Sequence, residues 1–87
     1  MQLASVAQNP VSSVHYANLN KNILEIIDKN AEGINSNQIW SKIVLKTGNK
    51  LPRALVLSRL ETLASIGIIK YSNRAVGSGY IREYKTA

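Results

Sequence analysis

Apolar and polar positions along the chain repeat with two different periods. Between residues 19 and 66, apolar residues return every three or four positions in three separate stretches, which predicts three amphipathic helices. From residue 68 onward, two short runs rich in β-branched and aromatic residues flank a glycine-containing turn, which is typical of a hairpin. We therefore expect a single α+β domain with its helices first and its hairpin last.

The first predicted helix lies within the stretch NLNKNILEIIDKNAEG. Its apolar stripe consists of Leu19, Ile23, Ile26 and Ile27. Asn18 or Asn20 is expected to cap its first turn, because an asparagine side chain accepts a hydrogen bond from a free helical N–H group. Gly33 is expected to end it, since glycine readily takes the left-handed conformation common at helix ends.

The second predicted helix follows Ile34, an isolated apolar residue that suits a strand of one or two residues. Asn35 or Ser36 is expected to cap this helix. Its apolar stripe consists of Ile39, Trp40, Ile43 and Val44. Because Trp40 lies inside this stripe, we expect its ring in the core rather than against a ligand.

The third predicted helix lies within KLPRALVLSRLETLASIG, where Pro52 suits the first turn and Gly67 the end. Its apolar arc is centred on Val56, Leu60 and Leu63, and it is widened by Leu55, Leu57 and Ile66. The opposite face is small and polar, with Ala54, Ser58, Glu61, Thr62 and Ser65. Such a face lets another molecule approach the helix backbone closely.

The stretches IIKYSNR and YIREYKT are the two predicted strands, on either side of AVGSG. Ile69 and Tyr71 are expected to share one face of the first strand, and Asn73 is placed at the turn. An isolated hairpin is marginal in water, so it must lean on the helices. We expect Ile68, Ile69 and Ile81 to be buried there, and the tip from residue 74 to residue 79 to be exposed.

Residues 1–17 contain Pro10 and lack a clear apolar period. They are expected to form an arm that is flexible or ordered by a partner, in front of a domain of residues 18–87. His15 has no second histidine, cysteine or aspartate nearby in the sequence, so a metal or catalytic role is not expected.

Charge is distributed unevenly along the chain. The net charge is +6, and the segment from Lys42 onward holds nine basic and two acidic residues. Such a basic excess favours binding to a polyanion, although it is also compatible with a solvated surface that only aids solubility.

Several kinds of chemistry are not expected. The chain has no cysteine, which excludes disulfides and thiolate metal sites and suits a cytoplasmic protein. It has no glycine-rich phosphate loop, no zinc-protease motif and no paired carboxylates. No apolar run approaches the length of a membrane span. We expect no enzyme activity, no cofactor and no membrane partner. The frequent Asn and Ile are compatible with an AT-rich microbial, archaeal or viral genome.

Three stretches resemble the winged helix-turn-helix family of DNA-binding proteins. GINSNQIWSKI is similar to the family's link into its second helix, and VLSRLETLASIGII is similar to its third helix and the turn that follows. YIREYKT is similar to the closing wing strand of MarR- and PadR-type regulators. The resemblance covers about residues 19–86 and implies three helices with a C-terminal β-hairpin wing.

The resemblance implies double-stranded DNA as the partner, with the third helix in the major groove and the wing on the backbone or in the minor groove. The candidate DNA-binding residues are Lys42, Lys46, Lys50, Arg53, Ala54, Ser58, Arg59, Arg74, Ser78 and Arg82. Arg53 lies in the first turn of the third helix, where a phosphate is favoured. Arg74 and Arg82 flank the wing tip, and its glycines allow close approach to a sugar-phosphate strand.

Two residues fit this picture less simply. Arg59 falls within the apolar arc, where it either lays its stem over the core edge with its head in water or contacts DNA. Glu61 lies on the groove face and repels phosphate, yet it can accept a hydrogen bond from a cytosine amino group.

The sequence supports a homodimeric transcription regulator best, because one short helix reads few base pairs and two-fold symmetry doubles the site. One alternative is a protein-interaction module of transcription or replication machinery, with Leu55 and Leu57 facing the partner. Another is non-specific coating of chromosomal DNA.

Overall fold

Three helices precede a small antiparallel sheet in the computed structural model, which describes residues 16–87. The first helix, α1, includes residues 16–28. The other elements are β1 (Ile34–Asn35), α2 (Ser36–Thr47), α3 (Arg53–Ser65), β2 (Ile69–Val76) and β3 (Gly79–Thr86). Most of the predicted arm, including His15, lies outside the described residues, whereas Tyr16 and Ala17 are already helical.

The sheet has the strand order β1-β3-β2, and both pairings are antiparallel. The short strand β1 pairs with the end of β3 through Ile34 and Tyr84. This pairing attaches the C-terminal hairpin to the link between α1 and α2. The arrangement is the expected α+β winged helix, with the β2–β3 hairpin as the wing.

The core lies where the three helices meet the base of the hairpin. Its buried apolar side chains are Leu19, Ile23, Ile26, Ile27, Ile34, Ile39, Ile43, Val56, Leu60, Leu63, Ile69 and Tyr84. The helical members are the central residues of the three predicted stripes. Ile69 and Tyr84 come from the hairpin, which therefore shares one core with the helices and does not have to be stable alone.

Several apolar residues of the predicted helical arc and of the hairpin lie outside the core. Ile66 is 63% exposed and Ile68 is 44% exposed, while Ile81 is only half-buried. The reason is the turn at Gly67, which has φ 83° and ends α3. Ile66 lies at the end of the helix, beyond its buried stripe, and the alternation of the strand then turns Ile69 inward and Ile68 outward.

The hairpin is longer than predicted. Its ladder runs from the pair Ile69–Thr86 to the pair Val76–Gly79, so only Gly77 and Ser78 form the turn. Gly77 has φ 54°, a conformation that suits tight hairpin turns and that glycine adopts without strain. Asn73 lies inside β2, and its predicted place at the turn is wrong.

The helix ends differ from expectation in α1 more than in α2. Asn18 and Asn20 both lie inside α1, so neither is its cap. The helical segment ends at residue 28, where Asn30 Nδ2 donates to the Ile26 carbonyl at 2.7 Å; Gly33 (φ 114°) then turns the chain into β1. Of the two candidates for α2, Asn35 is the cap, and it forms a reciprocal capping box with Gln38.

Candidate nucleic-acid interface

The outward face of α3 is formed by residues spaced three and four positions apart. These exposed residues are Ala54, Leu57, Ser58, Glu61 and Ser65, and we call them the α3 outer face. They lie opposite the buried Val56, Leu60 and Leu63. The small and polar face predicted from the sequence is therefore present, but it also carries Leu57, which was assigned to the edge of the apolar arc and is 43% exposed.

A groove runs between the α3 outer face and the hairpin. It consists of two adjoining cavities of about 280 and 290 Å³, which share Arg82 and Tyr84 in their walls. One cavity is bordered by Glu61 of α3, and the other by Leu57 and the first residues of α2. We call this feature the α3–wing groove.

Arg53 lies at one end of the α3 outer face, against Trp40 of α2. Its guanidinium carbon is 4.6 Å from the centre of the indole ring. Trp40 is half-buried and held by a hydrogen bond of 2.7 Å from its Nε1 to the Leu51 carbonyl. Stacking covers one face of the guanidinium and leaves the N–H groups in its plane available. The indole ring of Trp40 thus holds the Arg53 guanidinium in place, and the hydrogen bond to Leu51 holds that ring.

The N-terminus of α3 adds further hydrogen-bond donors beside Arg53. Pro52 precedes the helix, and no side chain caps it. The first-turn N–H groups of a helix and its dipole both favour an anion. A phosphate at this position would therefore meet a guanidinium and backbone donors together.

Arg82 lies on the other side of the groove and is held in a similar way. Its guanidinium carbon is 4.1 Å from the centre of the Tyr71 ring, and Tyr71 in turn contacts the buried Tyr84 at 6.1 Å between ring centres. The ladder pairs Tyr71 with Tyr84 and Asn73 with Arg82, which places all four side chains on the hairpin face that adjoins α3. We call this face the inner wing face.

Arg74 does not join Arg82, although the sequence placed both beside the wing tip. In the ladder it pairs with Ile81, the residue next to Arg82. Because side chains alternate along a strand, Arg74 lies on the opposite face, which we call the outer wing face. There its Nε is 3.2 Å from a carboxylate oxygen of Glu83. The two candidate wing arginines are therefore on opposite faces, and only Arg82 faces the groove.

Two more predicted cations contact α1. Arg59 is half-buried, donates from Nε to Asn20 Oδ1 at 3.1 Å, and lies 4.8 Å from the centre of the Tyr16 ring. Its head therefore binds α1 instead of lying free in water, and its contact with DNA stays a prediction. Lys46 Nζ donates to Glu25 Oε1 at 3.0 Å, and this hydrogen bond lowers the pKa of Glu25 below its ordinary value, helped by the Lys46 charge. Both cations serve to join helices.

The remaining predicted residues are all exposed. Ala54 and Ser58 belong to the α3 outer face, and Lys50 is exposed in the loop just before α3. Lys42 is exposed on α2, and Ser78 is one of the two turn residues at the tip of the wing.

Three residues on this side of the molecule were not predicted as part of the site. Tyr71 supports Arg82, Leu57 borders the groove, and Tyr80 is 76% exposed near the wing tip. The contact between Tyr71 and Arg82 depends on the register of the hairpin. The sequence pattern did not predict that register beyond Tyr71. The exposure of Leu57 could not be read from the sequence pattern, because Leu57 falls at the edge of a wide apolar arc.

In residues 16–87, no group of three or more His, Cys, Asp or Glu side chains is placed to hold a metal ion. Over the same residues, no helix has both the length and the apolar character needed to cross a membrane.

Comparisons of the chain with protein-family models, curated proteins and solved structures found no match. The function of the α3–wing groove therefore has to be inferred from its own geometry.

Proposed function

We propose that this protein binds double-stranded DNA as a transcription regulator. The outer face of α3 enters the major groove, and the inner wing face lies along the adjacent backbone. The observation that carries the proposal is that Arg53 and Arg82, each stacked on an aromatic ring, border the exposed face of α3, Arg53 at its N-terminal end and Arg82 across the groove. A major groove is wide enough for one helix, and its two edges are lined by phosphates.

The preorganisation of these two arginines supports phosphate binding in particular. Of the hydrogen bonds and ion pairs formed within residues 16–87, none uses the Arg53 or Arg82 guanidinium, whereas Arg59, Arg74 and Lys46 are engaged. A guanidinium held by stacking loses little conformational freedom when it binds a phosphate. The engaged cations are left out of the proposed contact surface for the same reason.

We further propose that the protein acts as a homodimer, because a single α3 of 13 residues covers only one half-site. We also propose a cytoplasmic location, as expected from the sequence. For the alternative, a protein-interaction module, only one of the two proposed contact residues is well exposed. Leu55 is only partly exposed and packs against the core, which leaves Leu57 alone.

The proposal is tested by measuring affinity for a duplex selected from a random pool, across a salt series. Phosphate contacts release counterions, so about four to eight of them give a log–log slope of about −4 to −7. The absence of binding at low salt would refute the proposal and favour the interaction module. Equal affinity for unrelated duplexes would instead indicate non-specific coating.

A pair of double variants tests the surface. Arg53→Gln with Arg82→Gln should make the slope shallower by about 2, since each phosphate contact contributes about 0.9. The matched control is Lys70→Gln with Lys85→Gln, which removes two charges from the outer wing face, where these lysines are directly paired. The control should leave the slope nearly unchanged. If both doubles lower the slope equally, net charge rather than this surface binds the DNA.

A further inference from the structure

We propose that Leu57 reads the 5-methyl group of thymine in the major groove and is a specificity-determining residue of α3. The inference rests on the proposed DNA binding and adds the kind of base that the helix selects. Leu57 is the large apolar side chain of the α3 outer face and is 43% exposed. An exposed leucine on a surface that must lose its water on binding needs an apolar partner there.

Leu57 lies in the central part of the proposed contact surface. It is one helical turn after Arg53, on the adjacent position of the same helix side. It also shares a cavity wall with Arg82. If the two guanidiniums hold phosphates, the Leu57 side chain faces the base edges beside them, and the charge of both arginines suits the polyanionic backbone of DNA.

The other residues of the α3 outer face narrow the choice of base. They are Ala54, Ser58, Glu61 and Ser65. None is an arginine, lysine, asparagine or glutamine, so this face has no side chain for the two-bond contacts that identify guanine or adenine. Thymine differs from the other three bases by carrying a methyl group in the major groove, and apolar side chains are its usual contacts. Ala54, one turn before Ser58, can add to the same contact.

The test uses deoxyuridine, which keeps every hydrogen-bonding group of thymine and lacks only the methyl. The full chain is measured against its selected duplex and against the same duplex with all thymines replaced by deoxyuridine. Wild type should bind the substituted duplex about fourfold more weakly for each methyl contacted, from the burial of one methyl group. For Leu57→Ala this ratio should fall toward one.

The matched control is Leu45→Ala, which makes the same substitution at a leucine that is 84% exposed on α2. Its ratio should equal that of wild type. A ratio of one for wild type, an unchanged ratio for Leu57→Ala, or a selected duplex without thymine would overturn thymine reading while DNA binding stands. Failure to bind any duplex would overturn both proposals. Circular dichroism of Leu57→Ala, which is expected to be native, shows that the fold is retained.

Discussion

Replacing Trp40 with phenylalanine or leucine separates two contacts of the indole ring at the start of α3. Its Nε1 donates to the Leu51 carbonyl at 2.7 Å, and its face lies 4.6 Å below the Arg53 guanidinium. Phenylalanine keeps an aromatic face for Arg53 but removes the donor. Leucine removes both. The two variants should therefore differ in DNA binding more than in stability.

The magnitude follows from the two contacts. A hydrogen bond of this kind contributes about 0.5–1.5 kcal/mol net, and phenylalanine also loses part of the packing of the indole ring against the core, so Trp40→Phe should lower the free energy of unfolding by at least about 1 kcal/mol. In a domain of this size, that corresponds to a fall in Tm of about 4–8 °C. A cation–π contact at an exposed site is worth about 0.5–1 kcal/mol, so Trp40→Leu should in addition weaken DNA binding by about two- to fivefold.

Thermal unfolding followed by circular dichroism gives the first quantity, and fluorescence anisotropy of a labelled duplex, measured well below Tm, gives the second. Trp40→Phe should bind DNA within about twofold of wild type. If Trp40→Phe melts with wild-type Tm, the bond to the Leu51 carbonyl does not stabilise the fold. If Trp40→Leu binds as tightly as Trp40→Phe, the ring does not position Arg53.

Three further predictions concern a helix cap and two contacts between helices. Asn35→Ala should lower the free energy of unfolding by about 1 kcal/mol through loss of the α2 cap, as measured by urea unfolding. The pKa of Glu25 is lowered in the folded state by its bond from Lys46, so this pair should stabilise the fold above the ordinary glutamate pKa of 4.5 and lose its effect as pH falls below it. The Tm difference between wild type and Glu25→Gln should therefore shrink between about pH 6 and pH 3; a constant difference would contradict the pairing. Arg59→Met should lower stability by about 1 kcal/mol and leave the salt slope of DNA binding unchanged, whereas a shallower slope would show that Arg59 contacts phosphate.

The order of elements and the centre of the core follow closely from the sequence. Helical spacing identified the buried residues of all three helices, because the apolar positions at the middle of each stripe have no alternative place. The exposure of apolar residues at the edges of the core was harder to predict. Ile66 and Ile68 are apolar but exposed, since the backbone turn at Gly67 rather than their hydrophobicity decides where they point.

The candidate site was less predictable than the fold. Charge alone could not separate Arg82, which is stacked and faces α3, from Arg74, which is paired with Glu83 on the opposite wing face. That difference depends on the hairpin register, where a shift of one residue exchanges the two faces. Arg59 and Lys46 form contacts with α1 across separations of 39 and 21 residues, which no local pattern encodes.

The central claim is that DNA contacts α3 and the inner wing face, and chemical-shift mapping of the ¹⁵N-labelled protein with its selected duplex tests it most directly. The amide signals of residues 53–61 and of residues 77–82 should move on titration. Signals from the outer side of α2 around Leu45 should stay in place. Shifts concentrated around Leu45 and on α1, with residues 53–61 unaffected, would contradict the account.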